Sequence, residues 1–427
     1  AGRGPPAHDS LSIEGASDVR HPTHKEGLRM MESAIAAGDP VSTLGMPALD
    51  AAKGLRSKSA IGTWSGGRFM RFGQSMGDDG LIGLLQEAPK FGVRTFVTSD
   101  VYGKGAADLL LGEAISGMPR EEIRVVSMIG HDFYDGTRAG MGGYQRFTDP
   151  HLRGAGDYEG YLRMAAERSL ERCGLEKFDL ILLHNPDSIG YSDAEVWRGM
   201  GKLKDSGLTD MLGVAPGPAN GFVLDQISCF EKYGEFIDWS MIILNPLEPW
   251  PGRLVLPAAE RFGVKVMARV VDHSGIFHDD VRPGHWFQSG DHRTHRPTGW
   301  VNGGCAKLEK LRPYAERHGL TMLQLAAFWN LGHKAVEAVV PTYIEESGEN
   351  DYARGALEKL AEMAAVAGDN PLSDREIEEI AAIGDNTGCM PLKGATAKHD
   401  CAPLPDQWAI DSHLASIAER WGVDTSW

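Results

Sequence analysis

From Ala60 onward, short runs of β-branched and apolar residues alternate with longer stretches whose apolar positions recur at helical spacing. The runs fall at 95–98, 124–129, 180–183, 211–214, 241–244, 265–271 and 338–340, and one near 61–64 brings the number of strand candidates to eight. Helical stretches lie between them, among them 161–173, 194–205, 257–262 and 321–331; Gly174, Gly207, Gly263 and Gly332 follow these as expected left-handed caps. This alternation predicts repeated βα units and a parallel sheet. An open doubly wound sheet would share the rhythm, but no G-x-G-x-x-G follows an early strand. The pattern therefore predicts an α/β chain built as a (β/α)₈ TIM barrel over 60–385. Residues 1–59 are expected to form an N-terminal extension with one helix at 25–37, and 386–427 a C-terminal tail that packs on the barrel and holds a final helix at 410–421.

The 427 residues exceed the ~250 usual for such a barrel but stay within its range with insertions. With 42% hydrophobic and 24% charged residues, the chain can bury a large core without metals or disulfides. A net charge of −16 and the lack of a long Lys/Arg cluster argue against a nucleic-acid partner. No stretch reaches the ~20 consecutive apolar residues of a membrane span. The chain begins at Ala1, which fits either a removed export signal or a trimmed start, so a soluble protein of the cytoplasm or of an exported compartment is expected. Five cysteines, an odd number, argue for free thiols, although Cys389 and Cys401 could pair. With His399 they have metal-ligand types but not the spacing of a zinc site.

Four segments carry a family resemblance. They are Phe96-Val97-Thr98-Ser99-Asp100-Val101-Tyr102-Gly103 with Leu111-Gly112-Glu113-Ala114; Phe178-Asp179-Leu180-Ile181-Leu182-Leu183-His184-Asn185-Pro186-Asp187; Met211-Leu212-Gly213-Val214; and Gln324-Leu325-Ala326 with Val339-Val340-Pro341 and Glu349-Asn350. In order and spacing this set resembles the aldo-keto reductases, whose members carry F-D-T-A-x-x-Y-G, D-L-x-L-L-H-x-P-D, I-G-V-S-N and a closing Q-L-A, V-I-P and E-N. The resemblance implies the barrel fold and a catalytic tetrad of Asp, Tyr, Lys and His. Tyr102 and His184 match the Tyr and His of that tetrad, while Val97 and Met128 stand at its Asp and Lys. The family's nicotinamide contacts are also replaced, by Ala215-Pro216, by Met241 and by Arg269 at the ring-stacking aromatic. Thr342-Tyr343-Ile344-Glu345-Glu346 stands where a basic clamp would take a 2′-phosphate, and its acids are expected to repel NADP. The resemblance thus implies weak or absent NADPH binding.

Polar residues just past the strands should converge on one mouth. Tyr102 and His184 are the candidate catalytic pair; without the charged pair beside them, His184 is expected to titrate near neutral pH. Asp100, His131, Asp132, Glu248, Arg269 and His273 are the candidates for orienting a small-molecule substrate or holding a divalent metal. The plainer reading keeps His184 as a packing residue, His131 and His273 as loop histidines, the tract His273, His278, His285, His292 and His295 as incidental, and Asp279-Asp280 as solvated surface. Three function classes follow. One is an enzyme acting on a small carbonyl- or hydroxyl-bearing molecule by acid/base chemistry, as a lyase or isomerase. Another is an NAD(P)-dependent carbonyl oxidoreductase with a rebuilt nicotinamide pocket. The third is a non-catalytic ligand-binding or regulatory subunit. So many ionisable groups at one mouth favour an enzyme.

Overall fold

A computed structural model describes residues 54–138, 143–217, 222–296, 298–347, 353–384 and 410–423. Most of the N-terminal segment, including the helix expected at 25–37, and the cysteines at 389 and 401 lie outside these residues.

The eight strands are β1 (Ala60–Gly62), β2 (Thr95–Ser99), β3 (Arg124–Ile129), β4 (Phe178–His184), β5 (Thr209–Ala215), β6 (Trp239–Ile243), β7 (Lys265–Arg269) and β8 (Val336–Val340). They form one parallel sheet in sequence order. Ser59 bridges to Val339, and the Val339 amide donates to the Lys58 carbonyl at 2.8 Å, so the first strand meets the last and the sheet closes.

Because strand side chains alternate in direction, each strand divides its apolar residues between lumen and helix layer. Val97, Val126, Met128, Leu180, Leu182, Met211, Trp239, Met241, Met267, Ala338 and Val340 pack together inside the barrel. Their neighbours Phe96, Val125, Ile181, Leu183, Leu212, Ile242 and Val266 face the surrounding helices. Those helices include α1 (Gly77–Glu87), α2 (Ala106–Ile115), α3 (Tyr158–Cys173), α4 (Ala194–Asp205), α5 (Val223–Tyr233), α6 (Leu256–Phe262), α7 (Trp300–Arg317), α8 (Met322–Leu331), α9 (Ala356–Ala361), α10 (Asp374–Gly384) and α11 (Ser412–Trp421). Thr321 starts α8 with a capping box closed by Gln324. Gly174 and Gly263 end α3 and α6 at φ of 65° and 68°. Gly332 differs from expectation: its φ is −73°, and it is small because a Cβ there would meet Ile377 at 2.5 Å. Helix α11 packs on α5 through Ser228 to His413 (2.9 Å) and Trp421 to Glu231 (2.8 Å).

A second departure concerns Asp280, expected on the solvated surface. It is buried and paired at 2.5 Å with the equally buried Lys359 of α9. Asp279 is partly exposed, as expected of a surface acid, and pairs with Arg312 and Arg282. None of the described helices is long and apolar enough to cross a membrane.

Candidate active site

Strand β4 ends on His184 and β7 on Arg269, both on the parity that faces the lumen, while Tyr102 follows β2 on a short turn. The three meet in a cavity of about 70 Å³. Its apolar floor is Met128, Met241 and Ala215, and its rim includes Trp64, Asn185, Asp272, Ser274 and Thr342. The Tyr102 ring stands edge-on to that of His184 at 5.9 Å and to Trp64 at 6.2 Å.

His184 is oriented from behind. Its Nδ1 lies 2.9 Å from the Ser99 hydroxyl, which itself donates to the Met128 carbonyl at 2.9 Å. A hydroxyl has one proton, so Ser99 accepts from Nδ1–H and the Nε2 lone pair is left for the cavity. Burial holds the imidazole well below its usual pKa, helped by His131, Arg269 and Arg146. The expected titration near neutrality is therefore corrected: His184 is neutral at pH 7. Burial pushes the Tyr102 phenol up to about 12 although Arg269 opposes the shift, so Tyr102 keeps its proton as well.

Arg269 donates through Nη2 to the Pro216 carbonyl at 2.8 Å, while its buried Nε has no acceptor. Burial lowers its pKa from the ordinary guanidinium value, and Tyr102 and Tyr191 act the other way. The residues directly after the two strand-end groups, Asn185 and Val270, have φ of 47° and 57°. A β-branched residue rarely adopts that conformation, and such strain concentrates at functional sites.

The other sequence candidates do not line the cavity. His131 stands edge-on to His184 at 4.9 Å, but its Nδ1 meets the Tyr144 carbonyl at 3.1 Å and its Nε2 the Asn185 amide at 3.0 Å. Burial, then Arg146, lowers its pKa to about 3, which makes it a neutral support for the His184 ring. Asp132 pairs with Arg153 at 2.5 Å and accepts from the amides of Tyr134 and Asp135, which shapes the loop after β3. Glu248 is enclosed by Asn245 (2.9 Å), His273 (3.2 Å) and Arg296 (3.4 Å). Although burial alone would raise its pKa, Arg296 and His273 hold it below the carboxylate range, so Glu248 and His273 satisfy each other. Asp100 is wholly buried with neither carboxyl oxygen bonded; burial, then Asp108, pushes its pKa well above the usual value. Ser99 and Asn185 are site residues that the strand-end reasoning left out, whereas Asp272 is a strand-end residue that does reach the rim. Ser99 follows from the parity of β2 only once β3 and β4 are known to flank it.

Among the described residues no group of three His, Cys, Asp or Glu is arranged to hold a metal, so the divalent-metal option has no donor set there. In the loop after β8, the acids expected to repel a phosphate are already engaged. Glu346 is bonded by Arg293 at 2.6 and 2.9 Å and by His285 at 3.1 Å, which holds its pKa down to about 2 against burial. The Glu345 side chain receives the Ala356 amide at 3.3 Å. The loop is thus already bonded within the protein, with Glu346 paired to Arg293. Its backbone is also bonded from both sides, with Thr342 N on Asp272, Thr342 O on His278 and Tyr343 O on Gly66 N.

The sequence model of the aldo/keto reductase family matches residues 60–384, about three quarters of the chain. The chain belongs to the aldo/keto reductase family. A D-threo-aldose 1-dehydrogenase from a Pseudomonas species is 25% identical over 212 residues, which cover 48% of this chain and 63% of that relative, so the match spans less than two thirds of it. An aldo-keto reductase 1 described as probable, from Glycine max, is 25% identical over 316 residues, covering 72% and 81%. The glycerol dehydrogenase of Gluconobacter oxydans shares the fold, with a TM-score of 0.60 at 20% identity over 80% of this chain and 98% of that one. An aldo-keto reductase of Bacillus halodurans does so at 0.54 and 18% identity, over 77% and 93%.

At the positions where the family resemblance would set the nicotinamide, the cavity presents Met241, Ala215 and Arg269. Met241 and Ala215 offer its carboxamide no side-chain hydrogen bond, and the Arg269 guanidinium is like-charged with an oxidised ring. The loop that would meet its phosphate is held by Arg293, His285 and Asp272.

Proposed function

We propose that this aldo/keto reductase barrel acts on a small carbonyl- or hydroxyl-bearing substrate by moving a proton, with no hydride taken from a nucleotide. The observation that carries the reading is the single cavity onto which the neutral His184, the protonated Tyr102 and the cationic Arg269 all open. Tyr102 donates a hydrogen bond to a substrate oxygen, and the Nε2 of His184 accepts a proton from the adjacent carbon or hydroxyl. With that proton taken from carbon and the Tyr102 proton passed to the carbonyl oxygen, an enediol forms; returning the His184 proton to the former carbonyl carbon while the other enediol hydroxyl reprotonates Tyr102 completes an isomerisation that needs no oxidant. Burial and the nearby cations make imidazolium unstable, so the proton does not rest on His184.

The test is solvent-deuterium exchange at carbon, followed by NMR, on a panel of short hydroxyaldehydes and hydroxyketones. Exchange that His184→Ala slows by about 10²- to 10⁴-fold supports the reading. No exchange across the panel, together with nucleotide-dependent turnover, would overturn it. A second reading, an NAD(P)-dependent carbonyl oxidoreductase with a rebuilt pocket, draws on two relatives, the D-threo-aldose 1-dehydrogenase and the glycerol dehydrogenase.

A further inference from the structure

We infer that the substrate carries a carboxylate and that Arg269 receives it. This inference rests on the proposed reading of the cavity as the substrate pocket. Three other guanidiniums drawn into the interior have their acids: Arg293 pairs with Asp291 at 2.8 Å and Glu346 at 2.6 Å, Arg172 with Asp108 at 2.9 Å, and Arg153 with Asp132 at 2.5 Å. Arg269 has none among the described residues. Its one hydrogen bond goes to a neutral carbonyl, and its Nε is buried without an acceptor.

The nearby groups do not neutralise it. Tyr102 keeps its proton, and so does Tyr191, which burial holds well above its usual pKa and whose own hydroxyl is buried without a partner. Asp272 lies on the rim, but its two oxygens accept from the amides of Thr342 at 2.8 Å and Gly275 at 3.0 Å. An unpaired charge in a low-dielectric site is unstable, and a planar fork of N–H groups matches a carboxylate in shape and charge. The chain's net charge of −16 does not oppose this, since distant surface charges are screened over about 8 Å while the pocket pair is in contact.

Pairing has a second effect. Arg269 is one of the cations that depress the basicity of His184, so an anion on Arg269 strengthens the base beside it. An acid substrate thereby improves the proton acceptor that its own reaction uses. A neutral analogue of the same shape would fill the cavity and leave His184 a weaker base.

The experiment titrates the full chain with a panel of two- to six-carbon 2-hydroxy and 2-oxo monocarboxylates, each beside its primary amide, by calorimetry. The expected result is that at least one acid binds about tenfold or more tightly than its amide, and that Arg269→Met removes the difference while Arg269→Lys keeps part of it. In the same samples, the bound acid should move the His184 ring titration, followed by ¹⁵N NMR, to higher pH, and the amide should not. Equal affinity for acids and amides, or an acid preference that survives Arg269→Met, overturns the inference. If Arg269→Met does not fold, the acid-to-amide ratio and the NMR shift of the unaltered protein decide. Acid binding on Arg269 without proton exchange would sink the proposed isomerisation and leave this inference standing.

Discussion

The Ser99 hydroxyl lies 2.9 Å from His184 Nδ1 and spends its only proton on the Met128 carbonyl. That pair fixes which imidazole nitrogen carries hydrogen. In Ser99→Ala the Nδ1–H loses its acceptor, so the ring should exchange between tautomers. The ¹⁵N shifts of His184 should show one tautomer in the unaltered protein and a mixture in the variant, with proton-transfer activity lower by about tenfold or more. A single unchanged tautomer in Ser99→Ala would show that the ring is set by packing on His131 instead.

NADPH should not saturate the protein below about 100 μM when followed by protein fluorescence, because the carboxamide partners are missing and the loop at Pro341–Ser347 is already bonded. Binding at about 1 μM, worth roughly −8 kcal/mol, would show a rebuilt nucleotide site and restore the oxidoreductase reading.

Lys359→Met should destabilise the fold by about 3–5 kcal/mol, because it leaves the Asp280 carboxyl buried without its cation. Burial already raises the pKa of Asp280 against the pull of Lys359, so the orphaned carboxyl escapes by taking a proton. The loss should therefore grow as pH rises. The double variant Lys359→Met with Asp280→Leu should recover most of the stability in urea melts.

Asp225 of α5 is buried, one carboxyl oxygen has no partner, and burial raises its pKa to about 7. In the unfolded chain this group deprotonates near its ordinary value of about 3.9, so between there and pH 7 the folded state holds the extra proton. Stability from this group is complete below about pH 4 and is lost as pH climbs through 7. At most roughly 4 kcal/mol is involved. Asp225→Asn should flatten the fall in melting temperature between pH 5 and 8; an unchanged slope would mean that Asp225 is solvated.

The strands were legible because lumen and helix-layer positions alternate cleanly. The run 124–129 coincides with β3, and 180–183 fell short of β4 only at Phe178, Asp179 and His184, where the charged and aromatic ends break the apolar run. Tyr102, His184 and Arg269 could be read as strand-end residues, and they do share the cavity. Asp132, Glu248 and His273 could not be separated from them by sequence, because what removes them is a partner far along the chain: Arg153 for Asp132, Arg296 for Glu248. Asp280 looked like surface because the sequence gives no sign that Lys359 folds over it. Polarity shows in composition; satisfaction of polarity is a three-dimensional property.

The loop at Pro341–Ser347 is fastened to the chain before α1 on one side, through Gly66 and Gln74, and to the long segment after β7 on the other, through Asp272, His278 and Arg293. One consequence is kinetic. Moving this rim would separate the buried Arg293 and Glu346 charges, an excursion too costly to accompany each turnover. This flank of the mouth therefore acts as a fixed sill that screens ligands by shape. If the cavity takes the substrate as proposed, a molecule too broad for the opening would be refused at entry, whatever groups it carries.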